Sequence, residues 1–145
     1  MAYSGLFKPR NPQKYIGDPN NIVYRSSWEA KVMSYLDLND AILSWASEEL
    51  TVPYKSPIDG RWHRYFPDFL VKMRTRDGQL KTLMLEVKPK KETTPPPKPK
   101  RITENYVKAV KTWGINEAKW KAAIEYCNDR AWEFRVITED HLGLN

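Results

Sequence analysis

The sequence predicts an α/β fold, with a mixed central sheet of about four or five strands and helices packed on its faces. Three observations predict it. An amphipathic helical period lies near the start, two β-rich runs joined through an Asp-Gly pair lie in the middle, and helical patterns followed by a last β-rich run close the chain.

Residues 1–24 carry Pro9, Pro12, Gly17 and Pro19 without a regular apolar period, so they read as an irregular arm ending in an extended piece at 22–24. Ser26-Ser27-Trp28-Glu29 opens a helix over 26–38, where Trp28, Val32, Met33, Tyr35 and Leu36 follow the 3.6 period. Ile42, Leu43 and Trp45, then residues 50–54, form one or two strands, with Pro53 marking an edge or a strand end. A turn at 56–60 leads into the two β-rich runs, 62–73 and 80–87, which Asp77-Gly78 joins as a hairpin. Residues 89–101 hold so much Pro and Lys that neither ladder nor helix is expected, and a cationic, polyproline-like linker is. Two helices are expected at 102–112 and 117–130, the second capped by Asn116, before a strand at 133–138. The 145 residues make one domain.

Composition narrows the function. With 24 Lys and Arg against 18 Asp and Glu the net charge is +6, which favours a polyanionic partner such as DNA. An apolar fraction of 41% is enough to bury a core, so wholesale disorder is excluded. The lone Cys127 has no thiol partner for an internal disulfide or a Cys-built metal site, and points to a reducing compartment. Apolar runs such as 83–85 fall far below the roughly 18 to 20 residues of a membrane span. Residues 1–10 lack the apolar stretch of a signal peptide, so the expected compartment is the cytoplasm.

The chemistry concentrates on the hairpin. Asp68 and Glu86 are equidistant from Asp77, so a three-residue loop Arg76-Asp77-Gly78 sets them directly opposite each other. Their Cβ atoms would then lie about 4.5–5.5 Å apart on one face, with Lys88 two residues further along it. A two-residue Asp77-Gly78 turn would instead oppose Glu86 to Phe69 and send Asp68 to the other face, unless a bulge restores the register. Paired carboxylates repel unless a cation sits between them, and hard oxygen donors without a His or Cys cluster select Mg²⁺ or Mn²⁺. The backbone carbonyl of Val87 is a further ligand candidate, its side chain facing the core. Lys88 would orient the attacking water or neutralise developing charge.

Asp68 followed by Glu86-x-Lys88, after a helix bearing Glu29, resembles the PD-(D/E)xK nuclease signature. Over nearly the whole chain the sequence also resembles the head completion nucleases of myovirus-type tailed phages. The stretches that carry this likeness are Met1-Ala2-Tyr3-Ser4-Gly5, Tyr24-Arg25-Ser26-Ser27-Trp28-Glu29, Arg64-Tyr65-Phe66-Pro67-Asp68, Glu86-Val87-Lys88-Pro89-Lys90-Lys91-Glu92 and Trp120-Lys121-Ala122-Ala123. The resemblance implies a restriction-endonuclease-like core, Asp68 and Glu86 as metal ligands, Lys88 as the catalytic lysine, and Glu29 as a helix-borne carboxylate near or on the metal.

Each residue also has a plainer reading. Glu86 and Lys88 alternate as on any solvated strand, but the apolar neighbours Phe66, Phe69, Leu70 and Val71 argue that Asp68 is partly buried, where an unpartnered charge is costly. Ser26-x-x-Glu29 is a capping-box pattern in which Glu29 would reach back to the Ser26 N–H, and that role stands beside metal binding. Glu48 and Glu49 could add a ligand but read as surface charge, His63 and His141 receive no role, and Trp28, Trp45, Trp113 and Trp120 read as core. Arg25, Lys119 and Lys121, with the strap residues Lys90, Lys91, Lys98, Lys100 and Arg101, are the candidates for DNA phosphate contacts. The reading is a Mg²⁺- or Mn²⁺-dependent DNA nuclease of little base specificity, acting in head completion after DNA packaging, with phage portal or head proteins as further partners. The alternatives are a non-enzymatic DNA- or capsid-binding connector and a branched-DNA resolvase.

Overall fold

A computed structural model describes residues 2–143. Met1, the first residue of one stretch that carries the resemblance, lies outside them. In chain order the elements are β1 (Ala2–Phe7), β2 (Ile22–Ser26), α1 (Ser27–Leu38), β3 (Ile42–Ser47), β4 (Val52–Lys55), β5 (Trp62–Tyr65), β6 (Phe69–Arg74), β7 (Leu80–Val87), α2 (Glu104–Asn128), β8 (Glu133–Ile137) and α3 (Glu139–Leu142). The central sheet runs β3-β6-β7-β8, antiparallel except for the parallel β7–β8 pair. It is the mixed sheet flanked by helices that the sequence predicts.

Alternation along the strands divides the core in two. Phe69, Val71, Leu83 and Leu85 turn to one face, where Val32, Met33 and Leu36 of α1 cover them together with Ile22 and Trp45. Met84 turns to the other face, against Ala123 and Cys127 of α2 and against Val52, Tyr54 and Tyr65 of the β4–β5 ribbon. Glu86 follows Met84 by two residues and therefore shares the α2 face.

The expected irregular arm is in part a strand. β1 pairs antiparallel with β2, and the segment between them is fastened to α1 through Asp37, whose carboxylate accepts the Arg10 and Asn11 amides at 2.8 and 3.0 Å. Pro9, Pro12 and Pro19 interrupt the arm and hide the two-stranded pairing on either side of them. A Cβ at Gly5 would stand 2.5 Å from the Tyr24 hydroxyl oxygen, so a larger residue there would have to push the Tyr24 ring aside.

The run 62–73 is two strands in different sheets. Phe66-Pro67-Asp68 breaks it, because Pro67 has no N–H to give a ladder. The helical patterns at 102–112 and 117–130 form one helix of 25 residues, capped by Thr103, whose hydroxyl accepts the Tyr106 amide at 3.1 Å. Asn116 is thus a buried interior residue rather than a cap. Gly114 costs about 1 kcal/mol in a helix, less than the packing on either side of it supplies, so the helix runs through. The linker 89–101 is irregular apart from a 3-10 turn at Lys90–Thr93.

Candidate active site

The β6–β7 register decides the geometry. Phe69 pairs with Leu85 and Arg74 with Leu80, a hairpin centred on Asp77 with Gly78 at φ 83°. This is the three-residue loop, and Gly78 holds the left-handed conformation it needs. One step beyond Phe69–Leu85 the chain brings Asp68 opposite Glu86. Asp68 lies just off the strand end, and its Oδ2 accepts the Val87 amide at 2.7 Å. The Val87 side chain packs against the α1-side core, as its alternation requires.

Glu86 is only 7% exposed. The Tyr65 hydroxyl donates to its Oε1 at 2.7 Å, and Lys88 Nζ stands 3.9 Å from its Oε2. The parallel ladder continues into Lys88, whose amide donates to the Ile137 carbonyl at 2.9 Å and so fixes the lysine backbone beside the carboxylates. From α2, the Lys119 ammonium lies 5.8 and 5.7 Å from the ring centres of Tyr54 and Tyr65, and its charge also favours ionised Glu86. Burial raises the pKa of both carboxyls. Asp68 is pushed up to about 8, by burial first and by the neighbouring Glu86 charge second, against the lowering effect of the Val87 hydrogen bond. For Glu86 burial is opposed by Tyr65, Lys88 and Lys119.

Glu29 and Glu48 stand at the margin. Their charges also raise Asp68. Glu29 comes from α1 on the opposite face of the sheet, and its Oε1 accepts the Arg25 amide at 3.2 Å, while the Glu29 amide donates to Ser26 Oγ at 3.1 Å. The cap therefore reaches Arg25 rather than Ser26, whose backbone closes the β1–β2 ladder. Glu48 is more than the surface charge it resembles in sequence. It holds φ 54°, its amide donates to the Asp68 carbonyl at 3.2 Å, and its carboxylate is ion-paired with Arg25. Among the described residues no three or more His, Cys, Asp or Glu side chains are grouped to hold a metal ion. The built part of the site is thus the Asp68–Glu86 pair, a hard oxygen donor set whose carboxyl pKa values are raised by burial first.

The DNA-binding candidates separate. Arg25 is committed to Glu48, and Lys90 to Asp140 at 3.0 Å, with the Lys90 amide also donating to Glu139 at 2.6 Å. Lys91, Lys98, Lys100, Arg101 and Lys121 are exposed. The sequence alone does not reveal the Tyr65 bond to Glu86 or the Glu48 amide bond to the Asp68 carbonyl. For Tyr65 a signal existed, since a tyrosine buried in a strand needs a partner for its hydroxyl. For Glu48 none did, because its placement follows from a positive φ.

The profile of the "TnsA-like endonuclease N terminal" family matches residues 39–139, well over half of the chain. The chain belongs to the TnsA-like endonuclease N-terminal family. The span matched by this TnsA-like domain contains Asp68, Glu86 and Lys88 but begins after Glu29 and Arg25. The TnsA-like chain is also 42% identical over 146 residues to the Head completion nuclease of Enterobacteria phage T4, covering 98% of itself and 95% of that protein. It is a nuclease-family protein, and DNA is the substrate class that follows. Among the described residues no helix is long and apolar enough to cross a membrane.

Proposed function

We propose that the whole chain is one PD-(D/E)xK-type domain, a Mg²⁺- or Mn²⁺-dependent deoxyribonuclease that hydrolyses DNA with little sequence specificity. It acts in phage head completion after DNA packaging, in the host cytoplasm at the head, with portal or head proteins as partners. The observation that carries the proposal is the apposition of half-buried Asp68 and buried Glu86 beside Lys88, in a chain closely related to a head completion nuclease.

Asp68 and Glu86 would hold the divalent ion, with the Val87 carbonyl and Glu29 as further ligands. The ion supplies Lewis-acid polarisation of a phosphate oxygen and a more acidic water. The residues around it do the remaining work. Tyr65 fixes Glu86 through Oε1 and leaves Oε2 on the Lys88 side. The Lys88 ammonium orients the attacking water and offsets negative charge as it develops on the phosphate. Lys119 lowers the cost of keeping Glu86 ionised.

The test is cleavage of linear, circular and branched DNA with Mg²⁺, Mn²⁺ or EDTA. Wild type cuts with either metal and not in EDTA, and Asp68→Ala, Glu86→Ala and Lys88→Ala each lose about a hundredfold or more. Equal cleavage by all four proteins, or none by wild type with either metal, contradicts the proposal.

A further inference from the structure

The β4–β5 ribbon has a face that the chemistry above does not use. It pairs Lys55 with Trp62, Tyr54 with His63, Pro53 with Arg64 and Val52 with Tyr65. Directly opposed residues share a face and successive ones alternate. Val52, Tyr54 and Tyr65 therefore turn inward and are buried, and Tyr65 ends on Glu86. Lys55, Trp62 and Arg64 turn outward. Trp62 is 71% exposed, the most exposed large apolar side chain among the described residues. Phe66, the residue just past the strand end, is 43% exposed, with the Arg64 guanidinium 5.8 Å from its ring centre. Among the described residues Lys55, Arg61 and Arg64 have no carboxylate within ion-pair distance. Trp62, Arg64 and Phe66 line one open depression, and from Phe66 only Pro67 intervenes before Asp68.

We infer that this outer face is a stacking platform for unpaired nucleotides of the DNA substrate, beside the cleavage site. The inference rests on the nuclease reading and names the substrate form that site receives. Base faces are hidden inside a duplex and become available to an indole or phenyl ring only where the strand is unpaired. Contact with duplex needs cations alone, whereas here cations alternate with exposed aromatic rings. Aromatic and Arg side chains also make protein hot spots. The unmatched positive charge, and the direct run of this strand into Asp68, favour nucleic acid over protein. Anchoring of the same strand on Glu86 through Tyr65 gives the platform a fixed position relative to the site.

The experiment uses the full chain carrying Glu86→Gln, in EDTA, so that binding is read without cleavage. Fluorescence anisotropy compares a single-stranded oligonucleotide of about 12 nucleotides with its duplex at one fixed salt concentration. The single strand binds more tightly. Adding Trp62→Ala weakens single-strand binding about tenfold and duplex binding far less, Trp62→Phe restores most of the loss, and Arg64→Ala weakens both forms. Equal loss on both forms, or no loss, overturns the inference and leaves the face to a protein partner. A single-strand preference that depends on Trp62, in a chain whose wild type never cuts DNA, sustains the platform and overturns the nuclease reading. Metal-dependent cutting without a Trp62 effect does the reverse.

Discussion

Two carboxylates taken side by side out of full contact with water oppose folding unless something compensates, and around half-buried Asp68 and buried Glu86 the compensation is partial. Hydrogen bonds reach both carboxylates, from Val87 to Asp68 and from Tyr65 and the Asp68 backbone to Glu86, and two lysines flank Glu86. The Asp68 pKa is about 8 in the fold against an ordinary 3.8. Between those values the folded state binds more protons than the unfolded chain, so stability falls as the pH rises through that window and the penalty is complete above it. Asp68→Asn keeps an oxygen for the Val87 amide and removes the charge. In EDTA above pH 8 it is expected to stabilise the protein by about 1–3 kcal/mol and to flatten the pH slope, as read by urea unfolding. An unchanged slope with lower stability would count against it. The Asp68–Glu86 pairing was legible in the sequence because the hairpin centre sets it. Tyr65 was legible only as a strand tyrosine whose hydroxyl needs a partner, since its reach to Glu86 depends on the strand break at Pro67.

At the scale of elements, the clearest divergence from the sequence is α2. Gly114 and Asn116 together look like a stop and a restart, yet Trp113, Ile115, Ala118 and Trp120 carry partly buried surface across the junction, and burial outweighs the local preference. A Cβ on Gly114 would meet only the Pro57 side chain, at an ordinary 3.8 Å. Gly114→Ala is therefore expected to raise stability by about 0.5–1 kcal/mol, measured as the shift of the denaturation midpoint. A loss would mean that the helix needs a glycine there. The β6–β7 hairpin was legible because Asp77-Gly78 and the alternating runs agree on one register. The split of β5 from β6 was obscured by a continuous β-rich composition on both sides of Pro67.

Across the whole molecule, the charge of +6 is unevenly available. Arg25 and Lys90 are spent on Glu48 and Asp140, while Lys91, Lys98, Lys100 and Arg101 lie exposed along the strap that leaves β7 directly after Lys88. DNA binding is expected to weaken steeply with salt. Replacing Lys98, Lys100 and Arg101 together by Ala lowers the slope of log K against log salt by about 2–3, whereas Lys90→Ala leaves it near the wild-type value. Equal slopes for all three proteins would remove the strap from the interface.

Calorimetric titration of the full chain with Mn²⁺ goes to the carboxylate pair itself. Wild type is expected to bind the ion with release of protons, since ionised Asp68 is the form that binds, and both Asp68→Asn and Glu86→Gln lose that binding. Retention of wild-type affinity by either variant would contradict a site built on these two side chains.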